Sequence, residues 1–154
     1  MKKILIASVL AISLIPTGAV AQAYSDRAEE SAIVGKLGDP GKVSRTVEII
    51  MVDNRFKPAE IKVKQGETVR FILRNAGEKK HDMMIGTMAQ LDKHAVMMKK
   101  FPDVEYSEPN LISVDPGKSG ELVWQFAEVG TVDFACPRPG HFKGMRGRFV
   151  IEAK

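Results

Sequence analysis

Cysteine and histidine are scarce in this chain. Of 154 residues, one is cysteine, Cys136, and three are histidine, His81, His94 and His141. A lone cysteine excludes an intramolecular disulfide framework. Catalytic signatures are missing too: there is no Gly-x-Ser-x-Gly, no Walker loop and no His-Glu-x-x-His. Aspartates and glutamates are scattered through the chain, and none forms a recognisable acid/base pair, so the chain is not expected to be an enzyme. Strong charge is also absent. The formal charge of +4 falls to +2 once Lys2 and Lys3 leave with a cleaved leader, which gives no support for nucleic-acid binding. A residual positive charge permits mild steering towards an acidic protein partner.

Long apolar runs occur only at the start. Lys2 and Lys3 form a basic region, Ile4 to Ile15 an apolar one, and Ala19-Val-Ala21 or Ala21-Gln-Ala23 a small-residue cleavage site. The apolar run is shorter than the roughly 20 residues a spanning helix needs. Residues 1–23 are therefore expected to be a signal peptide, cleaved near residue 21 or 23, and the mature protein to be periplasmic with no membrane segment. Residues 24–45 are polar, with the turn-former Gly38-Asp-Pro-Gly41, and are expected to be a flexible N-terminal extension.

From residue 46 to 154 the chain alternates short strands and turns. Thr46 to Val52 is β-branched and apolar. Ile61 and Val63 alternate with lysines, and Val69, Phe71 and Leu73 form the next period-two face. Leu111 to Val114 and Thr131 to Cys136 are also strand-like, as is Arg148 to Glu152. Between Glu121 and Phe126, the residues Leu122, Trp124 and Phe126 form a core face. One stretch changes period. Met88, Leu91, Ala95 and Met98 fall at helical spacing, with Thr87 as a candidate cap and Pro102 as the stop. Many short strands argue for an all-β Greek-key sandwich with one inserted α-helix.

The chemistry concentrates in Cys136-Pro-Arg-Pro-Gly-His141-Phe-Lys-Gly-Met145. A soft thiolate and a thioether beside an imidazole suit copper better than magnesium, calcium or manganese. Two His, one Cys and a weak axial Met make up the donor set of blue-copper electron-transfer centres. The loop lacks one imidazole. His81, far upstream at the start of a strand-like run, is the candidate for it. Pro137 and Pro139 restrict the backbone between the Cys and the His. A single cysteine excludes a dinuclear thiolate-bridged copper centre, and no His-x-His pair points to a multicopper oxidase.

The Cys-x4-His-x3-Met spacing with an upstream His resembles the cupredoxins, with a ligand loop of azurin type. The wider pattern of His81-Asp-Met-Met-Ile-Gly-Thr, a Met-rich helix and Pro-Gly-Lys-Ser-Gly-Glu-Leu-Val-Trp-Gln-Phe is similar to periplasmic cupredoxins of bacterial copper tolerance. The resemblance covers roughly residues 40 to 154. It implies a plastocyanin-like domain with one type 1 copper ion per chain, held by His81, Cys136, His141 and Met145. It also implies single-electron transfer with redox partner proteins such as a cytochrome, oxidase or reductase, by a monomer, with His141 as the electron port. Two positions depart from the family pattern. Lys80 stands just before the first His, where azurins carry a Gly whose carbonyl is a distant axial group, and that ligand is not carried over. Asp82 stands where many cupredoxins carry an Asn that ties the two ligand loops together.

A second feature is the cluster Met83, Met84, Met88, Met97 and Met98 with His94. Exported thioethers bind Cu(I), which makes Met83, Met84, His94, Met97 and Met98 a candidate second copper site. The competing expectation is a helix with Met on its core face and His94 on its surface. A functional cluster would favour copper sequestration or delivery without redox turnover over electron transfer.

Overall fold

Alternation of apolar and charged residues resolves into two five-stranded sheets packed face to face. The computed structural model describes residues 33–154. The expected signal peptide and cleavage site lie outside the described residues. In chain order the strands are β1 (Lys36–Leu37), β2 (Arg45–Val52), β3 (Arg55–Lys57), β4 (Glu60–Lys64), β5 (Thr68–Asn75) and β6 (His81–Gly86). A helix α1 (Met88–Lys100) follows, then β7 (Leu111–Val114), β8 (Ser119–Gln125), β9 (Gly130–Ala135) and β10 (Arg146–Glu152). One sheet has the order β1-β8-β5-β2-β3 and the other β4-β10-β9-β6-β7. The all-β sandwich with one helix is the fold that the strand pattern predicts.

The core lies between the sheets. In β4 the buried residues are Ile61 and Val63, and the lysines between them face water. Phenylalanine fills the centre: Phe149 stacks within 5.1 Å of Phe71, 4.8 Å of Phe126 and 4.7 Å of Phe134. Each such ring, fully buried, contributes about 1.5–3 kcal/mol. Leu122, Trp124 and Phe126 are all buried, as their period-two spacing predicts.

Two expectations need correction. The N-terminal extension is not loose over its whole length. Lys36 and Leu37 pair with β8, Val34 is buried, and the Trp124 indole N–H donates to the Val34 carbonyl at 2.9 Å. A polar composition hid these contacts because backbone groups and one apolar side chain make them. The helix has the expected cap: the Thr87 hydroxyl accepts from the Gln90 N–H, and the Gln90 side chain accepts from the Thr87 N–H. Its buried stripe matches at Leu91 and Met98 but not at positions 88 and 95. Leu91, His94 and Met98 are buried, while Met88 is exposed and Ala95 only partly covered. His94 faces inward because Glu108 and Tyr106 give its ring polar and aromatic partners there.

Register decides what the sheets bring together. β6 runs antiparallel to β9 with Met84 opposite Ala135. The first residues of β6 therefore lie beside the residue that leaves β9, which is Cys136. β10 pairs with β9 through Arg146 opposite Ala135. Met145, one residue before Arg146, thus comes opposite Cys136, and the intervening loop folds over the end of the sheet.

Candidate metal centre

His81 opens β6, and the turn before it is held by a buried asparagine. Asn75 donates to the Lys79 carbonyl at 2.7 Å and the Val114 carbonyl at 2.9 Å, and accepts from the Gly77 N–H at 2.9 Å. That staple fixes where the chain re-enters the sheet. On the other side, the Cys136 N–H donates to the Met145 carbonyl at 3.0 Å, and the Met145 N–H donates to the His141 carbonyl at 2.9 Å. The His141 N–H donates to the Arg138 carbonyl at 3.0 Å. The loop is thereby wound into turns that aim His141 back towards the strand ends.

The result is a buried cluster. One donor atom each from His81, Cys136 and His141 lies within 4.8 Å of the others. The Nδ1 atoms of His81 and His141 are 3.3 Å apart, and Cys136 Sγ is 3.5 Å from His141 Nδ1. Nitrogens held about 2.0 Å from one first-row ion at a trigonal angle would stand about 3.5 Å apart, and a thiolate sulfur about 3.7 Å from either. The spacing matches donors waiting for one ion. Soft sulfur with two imidazoles suits copper best. Met145 is fully buried in the same core cluster as Cys136, and the backbone contact above sets the two residues side by side.

Electrostatics set the state of these donors. Burial pushes the Cys136 thiol up to about 11, although the backbone N–H groups of Asp82 and Arg138 pull the other way. The Asp82 N–H donates to Cys136 Sγ at 3.4 Å. Burial, aided by the neighbouring His81, also lowers the proton affinity of His141 and keeps it a neutral ligand.

Two partners of the donors could not be expected from sequence spacing. Asp53, in the turn between β2 and β3, contacts His81 Nε2 at 2.9 Å. With the carboxylate accepting from Nε2–H, Nδ1 is left with its lone pair facing the cluster. A Cβ at Gly77 would come 2.4 Å from Asp53 Oδ1 and 3.0 Å from His81 Nε2, so only glycine leaves room for this pair. The second is Arg138, whose Nε lies 3.0 Å from Asp82 Oδ1. Sequence carries no signal for either, since each joins the start of β6 to a turn or loop far away in the chain.

The other proposed donors do not converge. Met83 and Met84, as strand neighbours, point to opposite faces of β6: Met83 joins the main core, while Met84 packs with Leu91 and Ala135. Met97 is partly exposed, whereas Met98 and His94 are buried. His94 is engaged by Glu108 at 3.3 Å through Nδ1 and by the Tyr106 ring.

The family model of the cupredoxin-like domain matches residues 41–151. This chain belongs to the cupredoxin family. It is 46% identical over 119 residues to the copper-resistant cuproprotein CopI of Rubrivivax gelatinosus, spanning 76% of this chain and 72% of that one. It is 31% identical over 181 aligned positions to the CopI protein of Pseudomonas aeruginosa, covering 98% of both chains. Among solved structures, auracyanin B superposes with a TM-score of 0.61 at 20% identity, over 77% of this chain and 94% of that one, which shows the shared fold. The reduced auracyanin of Roseiflexus castenholzii gives 0.58 at 25% identity, over 71% and 98%.

Proposed function

We propose that this cupredoxin is a periplasmic type 1 copper protein that passes single electrons between redox partners in bacterial copper tolerance. The observation that carries the reading is the buried meeting of His81, Cys136 and His141 within 4.8 Å. Relatives named as copper-resistant cuproproteins support the physiological setting, and the leader-like start supports export. The protein is read as a carrier and not as an enzyme.

Bound copper would supply a one-electron couple between Cu(I) and Cu(II). The chain's own residues make that couple usable by holding the donors still. Asp53 fixes the His81 ring, the Asp82 N–H holds the Cys136 sulfur, and Pro137 and Pro139 stiffen the loop. Main-chain hydrogen bonds pin Met145, which would supply a weak fourth donor. Cys136 gives up its proton on loading, because only the thiolate is a ligand. His141 is 7% exposed, so its ring comes nearest the surface of the three donors. Beside it a groove lined by Val96, Pro137, Pro139 and Phe142, with Lys99 and Lys143 at its margin, offers a docking face for a redox partner.

Protein-film voltammetry with copper quantitation tests the reading. One ion per chain and a reversible one-electron wave support electron transfer. Two Cu(I) ions per chain without a reversible wave would favour sequestration instead.

A further inference from the structure

Asp82 and Arg138 form a contact that the donor set alone does not explain. Asp82 follows His81 on β6, and its side chain is 1% exposed. A buried carboxylate beside a metal thiolate adds negative charge where burial already disfavours it. Arg138 lies in the loop between Cys136 and His141, with its side chain 26% exposed and its Nε 3.0 Å from Asp82 Oδ1. The contact is ionic. Neither carboxylate oxygen, nor the Arg138 Nε, has a partner in hydrogen-bond alignment among the described residues. Lys80, two residues before Asp82, is turned to Glu105 and Asp115 at 3.6 Å.

Both residues also touch the centre through their backbones. The Asp82 N–H donates to the Cys136 sulfur, and the Arg138 carbonyl accepts the His141 N–H. Their side chains therefore join the strand that carries one imidazole to the loop that carries the thiol and the other. We propose that the Asp82–Arg138 pair is a positioning latch: it fixes the distance between the two ligand segments and cancels, charge for charge, the carboxylate next to the ion. Neither residue is a ligand. Arg138 acts on the metal by neutralising Asp82, and Asp82 acts by anchoring the loop.

This rests on the copper reading above and makes a demand of its own. Charge left unbalanced beside the centre favours one oxidation state. R138Q leaves a buried anion, which stabilises Cu(II) and lowers the reduction potential. D82N leaves a cation, which stabilises Cu(I) and raises it. A tenfold change in the Cu(II)/Cu(I) equilibrium in each direction corresponds to about 59 mV for one electron. The double variant D82N/R138Q returns most of the way to wild type.

The experiment is voltammetry of the four copper-loaded proteins, beside urea unfolding of the same four without copper. The latch predicts opposite shifts for the single variants and near-cancellation in the double. It also predicts that R138Q shifts the copper-free unfolding equilibrium about thirtyfold when residue 82 is Asp and far less when it is Asn. Shifts of the same sign overturn the proposal, as do unmoved potentials or additive unfolding effects. If wild type takes up no copper, the functional reading fails with it. If wild type gives a normal wave and the variants do not diverge, only the latch fails.

Discussion

Loading with copper should expel the proton of Cys136, and the structure sets how strongly. The thiol is fully buried and is pushed from an ordinary 9.0 to about 11. At pH 8 only about one copper-free chain in a thousand then carries a thiolate. The ion must displace that proton, so apparent affinity at pH 8 lies about a thousandfold below its limit. It should rise about tenfold, or 1.4 kcal/mol, for each pH unit up to the thiol's own value. His141, held neutral by burial and the neighbouring His81, adds nothing to the slope in this range. Competition with a Cu(I) chelator of known protonation, from pH 7.5 to 9.5, measures it directly. One proton released per ion is the companion reading. Stability without copper follows the same linkage with the sign fixed by the raised value. The contribution is present below pH 9.0 and is lost as pH climbs towards about 11. Over that span wild type should lose about 3 kcal/mol that Cys136→Ser does not lose. A pH-independent affinity would mean the thiol is already ionised, and would refute the reasoning.

Other expectations concern neighbouring residues. Asp53→Ala removes the acceptor for His81 Nε2 and should weaken copper binding about tenfold, the low end for an outer partner, because Asp53 is partly exposed; unchanged affinity by chelator competition would place Asp53 outside the site. Met145→Leu should retain copper but raise the potential measured by voltammetry, on the order of 59 mV, since a weak sulfur donor is lost. Gly147→Ala would set a Cβ 2.2 Å from the Phe134 ring and 2.6 Å from the Ala59 carbonyl, so thermal unfolding should show a loss of about 2–3 kcal/mol. Below pH 6.5 the unfolded chain takes up a proton that folded His141 resists, so the copper-free protein should lose stability as pH falls, and His141→Gln should show a shallower decline in a urea titration.

Much of this architecture is legible in the chain because its signals are local. Period-two alternation in Ile61-Lys-Val63 and Leu122-Val-Trp124 names the core faces without further help. Cys136, His141 and Met145 share one loop, and the β9–β10 hairpin brings its two ends together. His81 is harder, yet scarcity of histidine left few candidates. What sequence hides is contact between a strand end and a distant loop. Nothing local marks Asp53, although it holds His81. The charge of Asp82 looked like a departure with no compensation, while its counterion sat inside the ligand loop as Arg138. In the helix Leu91 and Met98 are buried as their spacing predicts, but His94 takes the inward place expected of Ala95 because Glu108 and Tyr106 receive its ring. Burial of a polar residue depends on partners that no periodicity announces.

The visible absorption spectrum of the copper-loaded protein tests the central claim most directly. An intense thiolate-to-copper band at one ion per chain, abolished in Cys136→Ser, is the predicted result. Copper bound with no such band, or a band that survives loss of Cys136, would contradict a centre built on His81, Cys136 and His141.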